Sequence, residues 1–92
     1  MPQLTPAQCR AGRGLLDLTQ EELAARAGLA RSTVRDFEGG RHCLHRASAA
    51  QVIRVFDEAG VILLGPDELG PGVRLRAPCG ASGDGAERRR DA

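Results

Sequence analysis

Ninety-two residues are enough for one packed domain and too few for two. Apolar residues make up 41% of the chain and aromatics only 2%, so any core must be built largely from Leu, Val, Ile and Ala. A net charge of +1 gives no overall pull toward a polyanion, and no stretch approaches the ~20 apolar residues of a membrane span.

The N-terminus has no apolar run of the secretory kind, so a cytoplasmic location is expected. Three widely spaced cysteines, Cys9, Cys43 and Cys79, do not form a disulfide framework and read as reduced thiols.

Thr5-Pro6-Ala7-Gln8 predicts a helix start: Thr5 caps, Pro6 suits the first helical position, and Gln8 closes a capping box. The helix is expected to run to about Leu16, with Gly12 and Gly14 each weakening it by ~1 kcal/mol relative to Ala. Thr19-Gln20-Glu21-Glu22 is a second capping box, with acids in the first turn where the helix dipole favours them. That helix runs to about Ala27, and Gly28 stops it. A third helix, Arg31 to Glu38, ends at Gly39 or Gly40. Its Val34 and Phe37 lie on one face, and Arg31, Ser32, Arg35 and Asp36 lie on the other.

Ala49, Val52, Ile53 and Phe56 recur at helical spacing in a fourth helix, capped by His45 or Ser48 and ended by Gly60. Val61 to Leu64 is a short apolar run, Gly65 to Gly72 is rich in turn signals, and Val73-Arg74-Leu75-Arg76 alternates apolar and charged residues. Together they predict a β-hairpin with a long loop. Ile62 and Leu64 share one strand face, and Val61 and Leu63 share the other. The segment after Pro78 is small, polar and charged and reads as a disordered tail. The expected boundaries are a helical domain over 1–60, the hairpin over 61–77 and the tail over 78–92.

Gln20, Ala24, Gly28 and Val34 stand at the Gln-x3-Ala-x3-Gly-x5-Val spacing of a helix-turn-helix. The spacing has a physical basis. Small residues sit where the two helix backbones meet, Gly sits where the chain turns left-handed, and an apolar residue faces inward. The pattern is clearest in LTQEELAARAGLARSTVRDFEGGR and extends over about Thr5 to Phe56. It resembles the Cro and lambda-repressor-like helix-turn-helix regulators, the XRE family.

The resemblance implies a mainly α fold: a four-helix lambda-repressor-like domain, followed here by a short β-hairpin where the family has a fifth helix. It also implies operator binding as a dimer, with the second helix of the motif in the major groove of double-stranded DNA. Carried onto this chain, DNA contacts are expected from Arg31, Ser32, Thr33, Arg35 and Asp36. Gln20 at the head of helix two matches a phosphate- or base-bonding position. Gly39, Gly40 and Arg41 match the phosphate-facing loop. Arg13 and Glu38 match an internal ion pair. Ala30 stands where the family has a capping Ser or Thr. Asp36 is an acid on the groove side, where it either accepts from cytosine N4 or holds Ser32 or Arg35 in place.

Local charge agrees with a phosphate-facing surface: from Arg31 to Arg54 five Arg stand against two acids. His42, Cys43 and His45 are too few and too close together for a tetrahedral metal site. They read as a loop near phosphate whose histidines gain charge below about pH 6.5. No catalytic constellation and no cofactor motif stands out, so neither enzyme activity nor a cofactor is expected.

The expected function is sequence-specific transcriptional regulation. The protein reads as a repressor on a palindromic operator, homodimeric through residues 61–76, with room for control by a regulatory protein partner. The rival is a protein-interaction module, antitoxin-like or partner-regulated, that keeps the fold and binds DNA weakly or not at all. Asp36, the uncapped start of the third helix and the near-neutral net charge favour that rival.

Overall fold

In the computed structural model, which describes residues 4–65 and 67–76, four helices precede one two-stranded antiparallel sheet. Helix α1 is Pro6–Leu16, α2 Gln20–Ala27, α3 Arg31–Glu38 and α4 Arg46–Ala59; strand β1 is Val61–Leu64 and β2 Gly72–Leu75. The fold is mainly α, as the caps and periodicity predict. The predicted tail over 78–92, with Cys79, lies outside the described residues.

The two capping boxes form as read. Thr5 Oγ1 accepts from the Gln8 N–H and Gln8 Oε1 from the Thr5 N–H, both at 3.0 Å. Thr19 and Glu22 make the same exchange at the head of α2. The start of α4 resolves to His45, which occupies the cap position without making a side-chain cap bond and leaves Ser48 inside the helix. Gly28 ends α2 with φ +75°, a left-handed conformation that costs residues with a Cβ, and so lets α3 start almost at once.

Leu23, Ala24, Ala27, Val34, Phe37, Val52, Val55 and Phe56 form the core, with Cys9 from α1 and Val61 from the hairpin. Gly12 belongs to this packing. A Cβ built there would sit 2.8 Å from Cζ of Phe56, so α1 approaches the α4 ring only because position 12 has no side chain. The propensity cost read from the sequence at Gly12 is therefore offset by close packing. At Gly14 a Cβ would meet nothing within 4 Å, and no such compensation exists.

In the hairpin, Val61 pairs with Leu75, Ile62 with Arg74, Leu63 with Val73 and Leu64 with Gly72. The second strand begins at Gly72, one residue earlier than the alternation alone predicts, because Gly72 is the partner of Leu64. The register also settles which strand face turns inward. Val61 is buried, and Leu63 and Val73 pack against the core, whereas Ile62 and Leu64 lie on the opposite, half-buried face.

Gln8 locks the hairpin to α1. It is 3% exposed, and its amide nitrogen donates to the carbonyls of both Leu64 and Gly72 at 3.0 Å. A residue read from sequence only as half of a cap thus also joins the first helix to the last two strands.

Candidate nucleic-acid interface

Helices α2 and α3 make a tight pair. The Leu29 N–H reaches back to the Ala24 carbonyl at 2.8 Å, and Leu23, Ala24 and Val34 are sealed between the helices. This fixes α3 with Val34, Phe37 and Glu38 inward. Its opposite face presents Arg31, Ser32, Thr33 and Arg35 to solvent, and Gly40 and Arg41 continue the same exposed surface. Ala30 occupies the α3 cap position and makes no side-chain cap bond.

Asp36, half-buried, organises the basic residues beside it. Its Oδ1 lies 3.2 Å from Arg35 Nε and 3.9 Å from Arg41 Nη1. Its carbonyl accepts from the N–H groups of Arg41 at 2.8 Å and His42 at 3.4 Å. Of the two roles open to Asp36 in the sequence, the structure displays the holding of Arg35; Ser32 is not among its partners.

A groove of about 370 Å³ runs beside α3, between Ser32, Thr33 and Asp36 on one side and His42, Cys43, Leu44, His45 and Ser48 on the other. Among the described residues no group of three or more His, Cys, Asp or Glu is placed to hold a metal ion.

A buried carboxylate adds to the core packing that holds α3 in this pose. Glu38 Oε2 accepts from Arg13 Nε, and Oε1 from Arg13 Nη2, both at 2.8 Å, in a bidentate pair. The Glu38 side chain is only 3% exposed and that of Arg13 20%. Gln20, expected on phosphate or a base, turns its amide nitrogen inward to Glu38 Oε1 at 3.0 Å. That donor serves the scaffold because the carboxylate lies within its reach and is shielded from water.

Arg10 adds a bond to the Glu38 carbonyl, and Arg13 Nη1 donates to the Leu18 carbonyl at 2.9 Å. Burial alone would raise the Glu38 carboxyl, but hydrogen bonds from Arg13, Gln20 and the Cys9 thiol prevail and hold it below the usual range. Burial, with the neighbouring carboxylate, pushes the Cys9 thiol far up. The bonds to Glu38 raise Arg13.

Sequence reasoning did not pick out Cys9 or Arg10. A signal for Cys9 was present: it stands one helical turn before Arg13 and so shares its face.

No helix among the described residues is long and apolar enough to cross a membrane. A family model described as a helix-turn-helix, HTH_3, matches residues 10–58, spanning all of α2 and α3 and most of α1 and α4. A comparison with curated proteins gives no match.

Proposed function

The chain belongs to the helix-turn-helix family HTH_3, of the XRE and Cro type and not an enzyme family, and from that premise we propose that it is a sequence-specific transcriptional repressor. It binds a palindromic operator as a homodimer, with α3 in the major groove. The observation that carries this reading is the division of α3 into two faces. One is fixed by core packing and the Glu38 carboxylate, and the other offers Arg31, Ser32, Thr33 and Arg35 with no core role.

Direct readout needs rigidly held donors and acceptors at base edges, and phosphate contacts need cations and backbone amides around them. Arg31 and Ser32, at the N-terminal end of α3, are suited to bases. Arg41 is suited to phosphate, whereas the loop amides expected there are already engaged, Gly39 N–H on the Arg35 carbonyl and Gly40 N–H on the Phe37 carbonyl, both at 3.0 Å. Arg35 is held by Asp36 where either is in reach. The hairpin, residues 61–76, supplies the contact between protomers.

Selection of bound sequences from a random DNA pool tests this reading. A recovered motif with two inverted half-sites about one helical turn apart supports it. A pool that stays random after repeated rounds refutes it.

One observation favours the second reading, a partner-regulated protein-interaction module: an acid, Asp36, stands on the presented face and engages two of its arginines. Steep weakening of DNA binding with added salt separates the two, because phosphate contacts release counterions and an apolar protein contact does not.

A further inference from the structure

Between the outer flank of α4 and strand β1 runs a groove of about 530 Å³. Ala50, Ile53 and Ile62, with Val61 and Leu63 at its floor, supply its apolar surface, and Arg54, Asp57 and Arg76 supply its charges. Ala50, Ile53, Arg54 and Asp57 recur at the three- and four-residue steps that place side chains along one helical stripe. Ile53 and Ile62 are half-buried within the chain, although Ile62 lies on the strand face turned away from the core.

The charges here are of both signs and have unused capacity. Asp57 accepts from Arg76 through Oδ1 at 2.8 Å, yet 71% of its side chain is exposed. Arg54 uses one nitrogen on Gln51, and its guanidinium carries further N–H donors.

We propose that this groove is the surface on which a second copy of the chain docks, with Arg54 of each protomer pairing with the partner's Asp57 over a centre formed by Ile53 and Ile62 of both. The inference rests on the homodimer reading above and specifies its contact: α4 together with β1, and not the hairpin alone.

Self-complementarity identifies the occupant. In a two-fold interface every contact is made twice, so a patch that carries a cation and an anion one turn apart can satisfy itself, whereas a patch of one sign repels its copy. The arrangement of apolar centre and charged rim is that of a protein interface core and its border. Ala50 keeps the α4 flank low at one end and leaves room for an apolar side chain from the partner.

The test uses the full chain and four variants, with sedimentation at micromolar concentration for mass and circular dichroism for fold. Arg54→Glu sets an acid against the partner's Asp57, and Asp57→Arg sets a cation against the partner's Arg54. Each is expected to weaken self-association at least tenfold while leaving the helical signal intact. Mixed in equal amounts, the two variants restore both pairs in one heterodimer, so dimer mass returns. Ile62→Glu is expected to give a folded monomer. Arg76→Ala removes the internal partner of Asp57 and is expected to remain dimeric.

A wild-type dimer that both charge variants leave unchanged overturns this surface while leaving the homodimer reading standing. So do two monomeric variants whose mixture stays monomeric. A wild-type chain that is monomeric both free and on its selected operator overturns the homodimer reading itself, and this inference with it.

Discussion

Gly12 and Gly14 sit on the same helix two residues apart, yet a methyl group has opposite meanings at the two. At Gly12 it would collide with the Phe56 ring, and at Gly14 it would enter open space. Gly12→Ala should therefore lower stability by about 1–3 kcal/mol through overpacking. Gly14→Ala should raise it by about 0.5–1 kcal/mol by removing unfolded-chain entropy. Urea titrations of the two variants measure both. The sequence treats the two glycines alike because helix propensity is local, and the ring that distinguishes them lies far along the chain.

The Arg13–Glu38 pair calls for a different measurement. Removing either partner strands a shielded charge, at a cost of roughly 3–5 kcal/mol, and a double-mutant cycle should give coupling well above the ~0–1 kcal/mol of exposed pairs. The Glu38 carboxyl is depressed in the fold, so its stabilisation is complete above the ordinary carboxylate value of about 4.5. It is lost as pH falls below that value and the native carboxylate finally takes up a proton. The Cys9 thiol is raised, so its contribution has the opposite sense: present at neutral pH and lost as pH climbs past about 9, where the unfolded thiol ionises first. Thermal melts from pH 3 to 10 should show both declines. Glu38→Gln should flatten the acid limb and Cys9→Ala the alkaline one.

Among the elements, the helices were more legible than the hairpin, and the reason is range. Thr5, Thr19, Gly28 and Gly60 act on backbone groups within a turn of themselves, so they mark helix ends without help from the rest of the fold. Strand boundaries and strand faces depend on a partner segment, and only the register shows that Gly72 pairs with Leu64 and that Leu63 faces inward. The exposed face of α3 was legible because its apolar residues are so few that they can face only one way. The inward turn of Gln20 was not legible, since it depends on a carboxylate delivered by another helix.

Gln8 yields a prediction about an element. Gln8→Ala leaves the Leu64 and Gly72 carbonyls without their donor and unties the hairpin from α1. A loss of about 1–3 kcal/mol is expected for such shielded groups. Amide hydrogen exchange should show it as faster exchange in β1 and β2, with α2 and α3 little changed.

For the molecule as a whole, the net charge of +1 understates the field over the α3 face. Arg31, Arg35 and Arg41 are exposed there, whereas Glu38 is buried against Arg13 and Asp36 is engaged with Arg35. DNA affinity should therefore fall steeply between 50 and 200 mM salt. Arg41→Ala should weaken all sequences alike and reduce the slope of log affinity against log salt by about one. Arg31→Ala should relax preference at one base position, costing ~1–3 kcal/mol on the best site. Titration of selected and scrambled duplexes at several salt concentrations separates these effects. If both variants keep parental affinity and slope, the contact surface lies elsewhere.

The bonds from Gln8 to Leu64 and Gly72 also order events in time. Helix α1 leaves a ribosome before the hairpin does, yet the acceptors for its Gln8 amide lie on the last two elements described. A nascent chain that ends before Gly72 can assemble the paired helices while the amide stays only partly satisfied. The closing connection forms once the second strand has emerged. Chains cut short by stalled translation thus carry the α3 face on a looser frame and offer an easier target for proteolysis than the finished protein.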